Sequence, residues 1–125
     1  MPNKTVLLVE DDPMNMRLAQ HILESQGYTV VKAATGQEAL QQIKAKLPDL
    51  ILMDIQLPDI DGMTLVRIIK AKAMTRDTII LALTAYAMKG DREKILKIGC
   101  NDYIAKPINV EKFISTVRRY LGSGN

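Results

Sequence analysis

Short apolar runs and longer amphipathic stretches alternate five times along the chain. The first run, TVLLVE at residues 5–10, stays aliphatic and β-branched until its last residue. In the stretch that follows, DPMNMRLAQHILESQG, apolar residues recur at helical intervals. Asp12 is placed to cap that helix, Pro13 suits its first position and Gly27 closes it. YTVVKA then reads as a strand, and TGQEALQQIKAK opens a helix with Thr35 and Glu38 at capping-box spacing. Pro48 stops this helix ahead of the apolar run LILMD. The second half repeats the rhythm. Residues 62 to about 73 predict a helix carrying Met63, Leu65, Val66, Ile68 and Ile69, and TIILALT at 78–84 a buried strand. GDREKILKIG predicts a short helix ending at Gly99, and DYIA a short strand. Asn109 caps a last helix that places Val110, Phe113, Ile114, Val117 and Leu121 on one face. The closing GSGN is expected to fray.

Strands that are apolar on both faces, each followed by a helix, belong in a parallel sheet covered on both sides. Right-handed crossovers reduce the topologies to a few. One of these is the doubly wound α/β fold, a (βα)5 five-stranded parallel sheet in the order 2-1-3-4-5 with helices on both faces. Ligands in such sheets bind beyond the carboxyl ends of the strands, near the point where the strand order reverses. The last residue of each strand and the first of each loop are therefore where chemistry is sought.

A length of 125 residues with 47% apolar content fits one domain, expected over residues 1–125 with its core at about 4–121 and no space for an output domain. No run is long enough to span a bilayer, and charge follows the N-terminus too closely for a secretory signal. A cytoplasmic protein is expected, with no membrane partner. The lone Cys100 has no internal disulfide partner and reads as packing. The net charge of +3 is spread among 14 acidic residues, and the aromatic content is 4%, which together argue against nucleic acid as a partner. Against that basic background, Glu10, Asp11 and Asp12 stand in a row.

At the strand ends lie Glu10, Asp11 and Asp12 after the first strand, Asp54 after the third, Thr84 after the fourth, and Lys106 with Pro107 after the fifth. Carboxylates crowded together repel by about 4 kcal/mol per pair at 4 Å and an effective dielectric near 20. A divalent cation relieves that strain. An oxygen-only donor set favours Mg2+, with Mn2+ able to substitute, and His21 and Cys100 alone cannot make a zinc site. A hydroxyl at Thr84 and an ammonium at Lys106 suit an incoming anion with several oxygens, phosphoryl above all. Asp54 would then be the nucleophile that accepts it.

The motifs LLVEDD, LILMDIQLPDIDG, LTA and YIAKP, in that order and on the expected strand ends, resemble the receiver domain of the two-component response regulators, CheY-like in build, over most of the chain. The resemblance implies that Asp54 is the phosphoacceptor, that Glu10 and Asp11 serve Mg2+, and that the Gln56 backbone carbonyl completes its shell together with Asp54. It makes Thr84 the switch hydroxyl, Lys106 the lysine of the family pattern and Tyr103 the aromatic switch position, with a cis bond between Lys106 and Pro107. The acidic pair is Glu-Asp here in place of Asp-Asp, which points to Asp11 as the direct ligand and leaves Asp12 chiefly as the helix cap. The implied partners are a sensor histidine kinase or a histidine phosphotransfer protein, and a downstream target. Met14, Met16, Pro107 and Ile108 would flank the donor contact, and residues 85–91 with Tyr103 would carry the signal outward. A monomer that dimerises on phosphorylation is compatible with this pattern. The build is similar to that of stand-alone regulators of bacterial cell division and polarity. Two rival readings are a receiver-like module that binds partners without phosphorylation and a Mg2+-dependent phosphohydrolase working through an aspartyl phosphate. The second is disfavoured by Gln56, which stands where such enzymes place a second aspartate. Asp59 and Asp61 are expected to be loop and cap residues.

Overall fold

The computed structural model describes residues 4–85 and 89–122. Ten elements alternate along it: β1 (Thr5–Val9), α1 (Pro13–Ser25), β2 (Thr29–Ala33), α2 (Gly36–Ala45), β3 (Leu50–Asp54), α3 (Gly62–Ala71), β4 (Ile79–Thr84), α4 (Lys89–Lys97), β5 (Asp102–Ala105) and α5 (Val110–Leu121). The strands form one parallel sheet in the order β2-β1-β3-β4-β5, as the sequence pattern predicts.

Alternation that is invisible in the unbroken apolar runs becomes plain once the two faces are separated. Val6 and Leu8, Leu50 and Leu52, and Leu81 and Leu83 face one side, where they meet Ala19, Ile22 and Leu23 of α1 and Phe113 and Val117 of α5. Leu7 and Val9, Ile51 and Met53, and Ile80 and Ala82 face the other, against Ala39 and Ile43 of α2, Leu65, Val66 and Ile69 of α3, and Ile95 of α4. Period-two strands buried on both faces carry no polar positions to reveal that period. The edge strands depart from this pattern: β2 is partly exposed along most of its length, and β5 buries only Ile104. Each has a neighbour on one side only, so less of its surface is covered.

The helix starts follow the sequence. Asp12, Thr35 and Asn109 each accept a backbone N–H three residues on, from Asn15, Glu38 and Lys112. Glu38 reaches back to the Ala34 N–H at 2.8 Å, one residue before the capped Thr35. Gly27 and Gly99 adopt positive φ (89° and 118°) just past α1 and α4, conformations that glycine enters without a Cβ clash. Three details differ. The third helix ends at Ala71, not near Ala73, because Lys72 turns extended and its carbonyl accepts the N–H groups of Thr75 and Arg76. Asp61 holds the N-cap position of α3 but makes no side-chain cap. Val110, expected on the buried face of α5, is exposed at its first residue. Cys100 is buried as packing, and its thiol is pushed up to about 11 by that burial. No helix among the described residues is long and apolar enough to cross a membrane.

Gly62 shows how tightly the loop after β3 folds back. Its N–H donates to the Ile55 carbonyl at 2.9 Å, and a Cβ there would lie 2.6 Å from Ile55 Cα and 2.8 Å from the Asp54 carbonyl oxygen. Those atoms are backbone and cannot swing aside. Gly62→Ala is therefore expected to cost about 3 kcal/mol, at the upper end for overpacking, as read from chemical denaturation. It is also expected to shift the backbone resonances of residues 54–56, which a loss confined to α3 would leave in place.

A candidate acidic phosphoacceptor site

The carboxyl ends of β1, β3, β4 and β5 bring the expected residues together. Glu10, Asp11 and Asp54 each offer a carboxylate oxygen, and the three oxygens lie within 4.8 Å of one another. Glu10 and Asp54 are 1% and 4% exposed, while Asp11 faces solvent. Lys106 stands over the two buried acids, its Nζ 2.8 Å from Glu10 Oε1 and 2.9 Å from Asp54 Oδ2. The Gln56 N–H donates to Asp54 Oδ1 at 2.9 Å, and the Asp12 N–H to Glu10 Oε2 at 3.1 Å. Thr84 ends β4 one residue past Leu83, the register partner of Asp54, and its carbonyl accepts the Lys106 N–H at 2.8 Å. The Lys106–Pro107 bond is cis.

One oxygen stands out. Glu10 Oε1 pairs electrostatically with Lys106 but has no hydrogen bond of good geometry, the single buried side-chain atom in that condition among the described residues. Buried polar atoms are normally satisfied, and those that are not mark a site completed by something else. With two further carboxylates beside it, the donor set is all oxygen and fits a hard divalent cation such as Mg2+.

Electrostatics agree. Burial foremost, then the neighbouring Asp54, push the Glu10 carboxyl from its ordinary 4.5 up to about 7, against the opposing pull of Lys106 and the Asp12 N–H. Burial disfavours the Lys106 ammonium, but the close contacts with the Glu10 and Asp54 carboxylates, and their charges, together outweigh it and hold its pKa above the ordinary value. Because the folded protein holds the Glu10 proton more tightly than the unfolded chain, this group's stabilising contribution is full below about pH 4.5 and is lost as pH rises through about 7. In chelator, the wild-type melting temperature should thus fall relative to that of Glu10→Gln as pH climbs across this window. Parallel profiles for the two proteins would contradict it.

Around the site, Asp12 is the cap of α1, as the sequence implies. Tyr103 is half-buried, its hydroxyl accepting a hydrogen bond from Arg92 at 2.7 Å while the Arg92 guanidinium lies 5.5 Å from the ring centroid. Of the four residues expected to flank a donor contact, Met14 (77% exposed) and Pro107 are presented to solvent, whereas Met16 and Ile108 are partly committed to the core beneath α1 and α5. Tyr86, Ala87 and Met88, in the segment expected to transmit the signal, lie outside the described residues. The sequence gives no hint of the reach of Asp59. Its two oxygens accept the Gly36 and Gln37 N–H groups at 2.8 and 3.0 Å, so it caps α2 from a loop more than twenty positions away. The loop bearing Gln56 is thereby tied to a neighbouring helix.

An acidic cluster, a lysine and a threonine at the carboxyl edge of a 2-1-3-4-5 sheet define a class of signalling switch, and residues 6–118 match the response regulator receiver domain model. The chain belongs to that family, whose members are switches and not conventional enzymes. It is 44% identical over 119 residues to the polar-differentiation response regulator DivK of Brucella ovis, covering 95% of this chain and 97% of that protein. Among solved structures it is similar to the receiver domain of a sensor histidine kinase from Pseudomonas aeruginosa, which has a magnesium ion coordinated in its active-site cleft (40% identity, 97% and 99% coverage, TM-score 0.87). It is also similar to the chemotaxis response regulator CheY4 of Vibrio cholerae (28% identity, 94% and 98% coverage, TM-score 0.89).

Proposed function

We propose that this receiver domain takes a phosphoryl group from a phosphohistidine donor onto Asp54 and signals through the change in binding that follows. The observation that carries the reading is Asp54 itself: a buried carboxylate at the end of β3, flanked by two further acids and bridged to one of them by Lys106. Asp54 attacks phosphorus through one carboxylate oxygen as the phosphorus–nitrogen bond to the donor imidazole breaks, leaving the electron pair on that nitrogen. Phosphorylation turns the carboxylate into an acyl phosphate, moving the negative charge from the carboxylate to the phosphoryl oxygens. Lys106 thereby loses a partner at Asp54 Oδ2 and is free to take a phosphoryl oxygen instead. Glu10, Asp11, Asp54 and the Gln56 carbonyl would hold Mg2+. When bound, that ion neutralises charge on the acids and on the transferring oxygens. Thr84, the last residue of β4, offers a hydroxyl that the phosphoryl group can draw in. Tyr103, one strand over, reports that movement at the α4–β5–α5 surface.

In this reading residues 1–125 act as one receiver domain in the cytoplasm, facing a sensor histidine kinase or histidine phosphotransfer protein on one side and a target protein on the other. The likeness to DivK, matched over 97% of its length, supports a regulator that signals by binding. Incubation with acetyl phosphate and Mg2+ should add one phosphoryl mass to the intact protein, and chelation should prevent it. An unmodified protein under conditions that label a control receiver would overturn the proposal.

A further inference from the structure

A groove of ≈ 480 Å3 runs between the C-terminal halves of α2 and α3. Both helices run antiparallel to the strands, so it sits at the end of the sheet opposite the acidic site. Leu40, Leu47, Ile68 and Met74 give it an apolar floor and walls. Leu47 and Met74 are 49% and 88% exposed, large areas of apolar surface to leave in water.

The exposure of Met74 does not come from a slack loop. The turn that carries it is pinned by the Lys70 ammonium, which donates to the Arg76 and Thr78 carbonyls at 2.8 and 2.9 Å, and by the Thr75 hydroxyl bonded to the Ile69 carbonyl. Methionine on a fixed support is an adaptable apolar contact.

The rim is charged with one sign. Lys44, Lys46 and Lys72 line the groove, no aspartate or glutamate does, and none of the three ammonium groups has a hydrogen bond or ion pair among the described residues. Three unpaired ammonium groups around an apolar cleft form the complement of an amphipathic surface flanked by carboxylates. A cleft between two helices accepts a third by seating apolar residues spaced three and four apart. A flat bilayer would press on the protruding Met74 and leave the recessed Leu40 and Ile68 untouched.

We infer that the α2–α3 groove docks an acidic amphipathic helix of a partner protein, a contact separate from the phosphoryl-transfer face. The probe is a synthetic helical peptide of about four turns, with leucines along one face and glutamates on both flanks. Titrated into the isotopically labelled full chain, it should shift backbone resonances of residues 40–47 and 68–75. The dissociation constant should rise steeply with salt, since the lysines are exposed. Lys44→Glu with Lys72→Glu should weaken binding by at least about tenfold through like-charge repulsion, and Leu47→Ser with Met74→Ser should do the same through lost apolar contact. All four positions are at the surface, so folding is kept, and Asp54→Asn should bind the peptide as the wild type does. Equal affinity for a lysine-flanked peptide, shifts confined to other surfaces, or no binding would overturn the inference. So would phosphatidylglycerol vesicles, or a second copy of the chain in sedimentation, proving to be the occupant lost in the same variants.

Discussion

Asp54→Asn is expected to leave the protein folded and unlabelled: no phosphoryl adduct from acetyl phosphate or a phosphohistidine donor under conditions that convert the wild type. Asparagine keeps an oxygen for the Gln56 N–H but lacks the anionic nucleophile, and an amide cannot yield a stable acyl phosphate. Removing one of three clustered carboxylates should also lower Mg2+ affinity by about tenfold, since ligand charge sets affinity at oxygen sites. A second consequence separates this site from an incidental surface aspartate. Asp54 contributes to raising Glu10 both by hydrogen bonding and by charge, so the Glu10 titration should move down from about 7 in the variant, as followed by carboxyl carbon NMR. An adduct that persists in Asp54→Asn would place the acceptor elsewhere.

Lys106→Met should be the most destabilising change at the site. Lys106 is the shared counter-ion of Glu10 and Asp54, and methionine replaces its stem without its charge. Two buried carboxylates left facing each other cost about 3 kcal/mol in chelator near pH 8, the low end for breaking a buried ionic group. The loss should shrink toward about pH 6, because Glu10 can then take up a proton and end the repulsion. Mg2+ should restore part of it, and Glu10→Gln combined with Lys106→Met should recover most of it. Equilibrium denaturation at both pH values tests all three statements. A loss independent of pH and metal would mean that Lys106 acts by packing alone.

The (βα)5 rhythm, the parallel order and the caps at Asp12, Thr35 and Asn109 were legible in the chain because they arise from local chemistry: short apolar runs, helical spacing and side chains reaching three residues ahead. The strand ends were legible for a related reason. Once the sheet is parallel, every last strand residue must lie on one edge, so Glu10, Asp54, Thr84 and Lys106 could be assembled without coordinates.

Distances, partners and charge states depend on folding. The chain contains Lys106 and Glu10, but only the folded sheet lets the loop after β5 reach back across the ends of β3 and β1, placing the ammonium 2.8 Å from Glu10 Oε1, while burial raises that carboxyl to about 7. Asp59 looks like any loop aspartate until β3 and α2 bring its carboxylate to the Gly36 and Gln37 amides. Lys44, Lys46 and Lys72 are ordinary surface lysines in sequence, and become one rim because two helices pack side by side. Periodicity and capping act over a few residues and are written along the chain; burial, desolvation and ion pairing need atoms far apart in sequence to meet, so tertiary structure alone decided them.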